Sequence, residues 1–242
     1  MTVLVITHTE SEDPGHVAPW LAETGLELSV LEPWRGDVLP DSLDGYQALV
    51  VMGGPQQAYD DSSAPWLRTT KDLLRLAVTT GLPTFGVCLG GQLLAEATGG
   101  VVEVSMQGPE LGARLVAKRD AASADPLFWD LPLSPMVIQW HWDEVVELPQ
   151  GATLLMSSTN YPHQAFRVGE CAWGLQFHIE ADAEMLSRWA DHNAAELAAD
   201  GIDARAIVAG AVPELEEIQE VWGEVVRRFG RLVIDRAGTS SR

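Results

Sequence analysis

The stretch Leu82-Pro-Thr-Phe-Gly86-Val-Cys88-Leu-Gly90-Gly91-Gln92-Leu-Leu-Ala-Glu-Ala-Thr-Gly-Gly100 changes its periodicity at one residue. Leu82 to Val87 is an apolar run of strand length, whereas Leu89 to Thr98 reads as a helix stopped by Gly99-Gly100. Cys88 is the junction. Gly86 and Gly90 flank it, as a tight strand-to-helix turn requires where backbone meets backbone and a Cβ would clash. Such a turn exposes its central side chain at the carboxyl end of a sheet, beside a helix N-terminus whose dipole favours a thiolate. The same residues also fit a second reading, a small buried thiol next to a glycine-rich turn.

The pattern repeats upstream. Thr2 to Thr7, Leu28 to Leu31 and Ala48 to Met52 are β-branched or apolar runs, the last ending in Gly53-Gly54-Pro55. Helices are expected between them, at Pro19 to Thr24 and Ala64 to Thr79, stopped at Gly25 and Gly81. Alternation of this kind predicts parallel strands with helical crossovers. From Val101 to Phe177 the segments shorten, at 101–106, 113–117, 137–140, 153–157, 164–168 and 172–177, and a turn at Gly169-Glu170 predicts antiparallel pairing. Beyond Glu180 the chain is helical, at Ala183 to Ala199, Ala204 to Ala209 and Pro213 to Val233, with Gly238 to Arg242 expected as a frayed tail. We expect one domain over 1–200, with a helical extension over 201–242 packed on it.

Composition narrows the function classes. A net charge of -20, with carboxylates spread along 242 residues, argues against nucleic acid and anionic membrane as partners. Two cysteines, Cys88 and Cys171, are too few for a secreted disulfide framework, and Met1 leads straight into an apolar strand without a leader pattern. A cytoplasmic protein is expected. No Gly-x-Gly-x-x-Gly or Lys-Ser/Thr phosphate loop occurs, no metal site is expected and no cofactor is implied. Cys171 reads as a packed thiol, and His8, His16 and His163 as solvated loop histidines, with His8 and Pro14-Gly15 placed to rim a pocket after the first strand.

A second motif gives Cys88 chemical company. In Gly174-Leu-Gln-Phe-His178-Ile-Glu180 the imidazole and the carboxylate are two residues apart, so on extended chain both point to one face. An activated nucleophile needs a base within hydrogen-bond reach and a third group to orient that base, and Cys88, His178 and Glu180 supply all three. By spacing alone His141, in Trp140-His-Trp-Asp143, is an equal candidate for the base. The apolar stripe of the last helix, Leu215, Ile218, Trp222, Val225, Phe229, fits docking on the parent domain; it also fits a homodimer or a partner-subunit interface.

Taken together, Gly86-Val-Cys-Leu-Gly-Gly-Gln-Leu-Leu-Ala, the upstream Met52-Gly-Gly-Pro55 and the downstream Gln176-Phe-His-Ile-Glu180 resemble the triad, or class I, glutamine amidotransferases over roughly residues 45 to 182. Trp140-His-Trp-Asp143 and Asn160-Tyr-Pro-His-Gln-Ala-Phe166 are similar to the glutaminase domain of GMP synthase. The resemblance implies a flavodoxin-like three-layer α/β/α fold with a mostly parallel sheet. It also implies that Cys88 attacks the carboxamide of glutamine, forming a γ-glutamyl thioester and releasing ammonia, with His178 as base and Glu180 behind it. Gly54 and Leu89 would supply oxyanion-hole N–H groups, Gly53 and Gln92 would contact substrate, and His141 would line the pocket. A γ-glutamyl peptide or γ-glutamyl amine would use the same triad, and a silent binding module of the same fold is the non-enzymatic alternative. Many relatives read Gly-His-Gln where this chain has Gly90-Gly91-Gln92. The roughly sixty residues after 182 are too few for an acceptor domain, so an ammonia-using synthetase is expected as a separate subunit.

Overall fold

The computed structural model describes residues 1–240. Its N-terminal half follows the alternation of apolar runs: β1 (Thr2–Ile6), α1 (Val17–Ala22), β2 (Glu27–Leu31), β3 (Tyr46–Val51), α2 (Trp66–Thr80), β4 (Thr84–Val87) and α3 (Leu89–Ala97). Two small ribbons follow, β5 (Val101–Val104) with β9 (Asp143–Glu147), and β6 (Glu110–Leu115) with β8 (Met136–His141). β7 (Ala117–Lys118), β10 (Thr153–Ser157), β11 (Ala165–Val168) and β12 (Ala172–Leu175) complete the main sheet, in the order β2-β1-β3-β4-β12-β11-β10-β7. The first five of these strands are parallel and the last three pair antiparallel. The parallel part has the flavodoxin-like order, with its switch point between β1 and β3, where such sheets place ligands at the carboxyl ends of the strands.

Alternate side chains of one strand build two separate cores. Val3, Val5, Val50 and Phe85 face α1 and the C-terminal helices, while Leu4, Ile6, Leu49 and Val51 face α2 and α3. Three layers result from this period of two. After β12 come α4 (Ala183–Ala199), whose N-cap Asp182 accepts from Met185 N–H at 2.7 Å, α5 (Ala204–Ala211) and α6 (Leu215–Ser240). The apolar stripe of α6 is buried: Trp222 donates to Met136 O at 2.9 Å, and the Phe229 and Phe85 rings lie 5.5 Å apart. No helix among the described residues is long and apolar enough to cross a membrane.

One expectation is corrected, and one strand appears that was not expected. Gly238 to Ser240 continue α6 rather than fraying, and Ser241 and Arg242 lie outside the described residues. Asp143–Glu147 is a strand that propensity does not favour, because three carboxylates interrupt it; pairing with Val101–Val104 overrides that preference.

Candidate active site

β3, β4 and β12 lie side by side, with Val51 opposite Gly86 and Leu175 opposite Val87, so the residues following each strand converge. Cys88 N–H donates to Leu175 O at 2.8 Å, and Gln92 N–H to Cys88 O at 3.0 Å, which fixes both sides of the turn. Cys88 has φ 51° and ψ -108°, the one positive φ outside glycine among the described residues, a strain of about 1–3 kcal/mol. A Cβ on Gly86 would lie 2.5 Å from Gly90 O, and one on Gly90 would collide with Val51 O. The Gly-x-Cys-x-Gly spacing therefore has the steric origin inferred from sequence. Leu89 opens α3, so its N–H has no acceptor within the helix.

His178 lies three residues past the end of β12 and is held there by two backbone hydrogen bonds with Ile138 of β8, at 2.8 and 3.2 Å. Its Nδ1 donates to Glu180 Oε1 at 2.6 Å, and Ile179 N–H donates to Glu180 Oε2 at 2.9 Å. Both side chains are buried, and the Trp189 ring packs 4.5 Å from the imidazole. The Cys88 side chain is hydrogen-bonded to His178. Burial pushes the Cys88 thiol up, with His178 opposing and Glu12 and Glu180 adding to the rise. Burial also works against a charged His178, but Glu180 and Cys88 override it and hold the imidazole well above its ordinary value. Cysteine and imidazole therefore titrate as a pair.

His141 is held elsewhere. Its Nδ1 faces Asp143 O at 2.9 Å, and its Nε2 faces Gln139 Oε1 at 3.1 Å and Glu110 Oε2 at 3.2 Å. Of the two candidate bases, His178 is the one hydrogen-bonded to Cys88.

The chain that carries this site is similar to proteins of known family. The description "Glutamine amidotransferase class-I" matches residues 18–188. The chain belongs to that family. Among class I relatives, the glutamine amidotransferase-like protein YfeJ of Salmonella typhimurium is 30% identical over 201 residues, covering 82% of this chain and 83% of YfeJ. Gamma-glutamyl peptidase 3 of Arabidopsis thaliana is 30% identical over 60% of this chain and 59% of its own length. A GMP synthase of Porphyromonas gingivalis is 31% identical over 59% of this chain, a match that takes in only 26% of the synthase. The crystal structure of a glutamine amidotransferase from Thermotoga maritima superposes with a TM-score of 0.84 at 32% identity, covering 95% of this chain and 98% of that one.

Within this amidotransferase fold, Cys88 opens into a cleft of about 590 Å³, in the range of small-molecule pockets. Gly54 and Gln92 line it together with His141; Gln92 Nε2 also donates to Asp143 O at 3.0 Å and Gln176 Oε1 at 3.3 Å. Gly53 lies beside His178: a Cβ there would come within 3.1 Å of His178 Cε1 and collide with Glu12 Oε2.

Glu12, Gln176 and Trp189 are site residues the sequence reading did not assign, and His8 was placed there only as a solvated histidine at the pocket rim. Gln176 Nε2 lies 4.0 Å from Cys88 Sγ. Burial raises Glu12 to about 7, with His178 lowering it and Glu180 raising it, and its Oε2 has no hydrogen-bond partner. His8 is not solvated as expected: it is 1% exposed, burial lowers it to about 3, and its Nδ1 accepts from Trp66 Nε1 at 3.1 Å. Its Cβ packs against Gly54 and its carbonyl accepts from Gln56 Nε2 at 3.2 Å, so it props the loop after β3. The available signal was topological, since a chain leaving β1 at a switch point must pass the ligand site. His16 stacks on Trp20 and His163 Nδ1 binds Val145 O at 2.7 Å, while Cys171 Sγ donates to Gly81 O at 3.2 Å in a packed position.

Proposed function

We propose that this amidotransferase-family protein hydrolyses a γ-glutamyl amide, glutamine being the simplest, through a thioester on Cys88. The observation that carries this reading is the hydrogen-bonded line from Cys88 through His178 to buried Glu180, at a strained elbow facing a cleft. The Cys88 thiolate attacks the amide carbon, and Gly54 and Leu89 N–H groups receive the developing oxyanion. His178 gives its proton to the departing nitrogen as the C–N bond breaks. It then takes a proton from water, whose oxygen displaces the Cys88 sulfur and frees glutamate. Glu180 keeps the imidazole in position and stabilises its charge. A synthetase that uses the released ammonia is the partner this reading implies, and the similarity to GMP synthase is what supports it.

Glutamate release from glutamine, followed with Cys88→Ala as control, tests the proposal. We expect the variant to lose a factor of about 10³ or more. A glutamine-derived diazoketone should add its mass to the Cys88 peptide. Labelling at Cys171, or undiminished turnover in Cys88→Ala, would remove Cys88 from the role.

A further inference from the structure

The cleft wall carries the carboxylates Glu12, Asp143 and Glu196 and the indoles Trp140, Trp142 and Trp189; among the described residues it includes no lysine or arginine. Indole faces and carboxylates are the two side-chain surfaces that favour an organic cation. Glu12 adds a more specific requirement. Its Oε2 is shut away from water with no hydrogen-bond partner, a state that costs several kcal/mol unless something from outside satisfies it.

The position of Glu12 says which part of a substrate it meets. Glu12 Oε2 and His178 Cε1 both border the point where a Gly53 Cβ would stand. His178 hands its proton to the departing nitrogen, so Glu12 lies on the side of whatever leaves with that nitrogen. From Trp189 beside His178, the same face of α4 continues the cleft through Asn193 to Glu196. Seven helical residues span about 10 Å, which suits an extended alkyl chain ending near the Glu196 carboxylate.

We propose that the preferred leaving group is a cationic amine: the protein cleaves γ-glutamyl amides whose amine carries a second ammonium, received by Glu12, the indoles and, at greater length, Glu196. This rests on the thioester chemistry assigned above to Cys88. In the reaction one water is consumed and the C–N bond is exchanged first for C–S and then for C–O; the products are glutamate and a diammonium chain. A γ-glutamyl peptide would instead bring its carboxylate against Glu12, Asp143 and Glu196, with no lysine or arginine among the described residues of the cleft wall to meet it.

The test is a charge series on one chain length, assayed at about pH 8, above the value near which Glu12 titrates. γ-Glutamyl-diaminobutane ends in an ammonium, γ-glutamyl-pentylamine in a methyl and γ-glutamyl-aminopentanoate in a carboxylate. We expect kcat/KM for the first to exceed the second by about tenfold or more, with the third lowest. Glu12→Gln should pull the ratio of the first to the second toward one, and Glu196→Gln, on an exposed stretch of α4, should do so for longer diamines. Equal kcat/KM across the series, or preference for the carboxylate, would overturn the proposal. So would an equal loss in Glu12→Gln for glutamine and all three compounds, since Glu12 would then bind the α-ammonium they share. Absence of glutamate release from every compound, glutamine included, would instead defeat the hydrolase reading beneath it.

Discussion

Glu12 and His8 leave β1 on the same turn, and burial moves them in ways that place opposite demands on pH. His8 sits near 3 when folded against an ordinary value of about 6.5, so its contribution is complete above about pH 6.5 and is lost as pH falls toward 3. The full loss is roughly 5 kcal/mol. Urea midpoints should fall across that window, and His8→Gln should flatten the slope. Glu12 behaves in reverse: raised to about 7, it costs stability as pH climbs from its unfolded value through 7, up to about 3 kcal/mol. Glu12→Gln should therefore stabilise the fold at about pH 8 and leave it unchanged near pH 4. The same variant should shift Cys88 alkylation to lower pH, because a negative neighbour of the thiol is gone. Cys88, His178 and Glu180 were legible in the sequence because each belongs to a short motif whose spacing carries its geometry. Glu12 was not, since Ser11-Glu-Asp-Pro-Gly15 reads as a solvated turn and is buried by a loop forty residues further on.

Among the elements, α3 is the most tightly constrained, because glycines hold it against two strands. A Cβ at Gly91 would collide with Leu175 O and lie 3.0 Å from Leu175 N, so the histidine many relatives carry at this position does not fit the helix as it packs on β12. Gly91→Ala should cost about 1–3 kcal/mol. In a chain of this size that is a fall in Tm of several degrees, and kcat should drop with it as Cys88 is displaced. Failure of either to change would mean that α3 shifts freely. The parallel strands were readable from period and β-branching because both faces are covered, and α4 and α6 from their stripes. β9 was hidden by its own carboxylates, and the bridge that fixes His178 joins residues forty apart, beyond the reach of any local pattern.

For the whole molecule, α6 closes one face of the sheet, and Trp222, fully buried, anchors it beside Phe128 and Phe177. Trp222→Ala should destabilise by about 3–5 kcal/mol, measurable by denaturant titration, and this loss would not appear if the stripe were a mere partner surface. The alternation of segments in the sequence separates the parallel from the antiparallel half, but it does not say that β12, made last, is laid between β4 and β11. That placement governs how the chain comes to life on the ribosome. Until residues 172–175 emerge, β4 presents an unpaired edge, open to any stray strand, and Cys88 has been made ninety residues before its histidine. The nascent protein is thus chemically silent until its sheet is sealed. The moment at which Cys88 becomes able to take up the glutamine-derived diazoketone during refolding should coincide with the slow, long-range closure of β12.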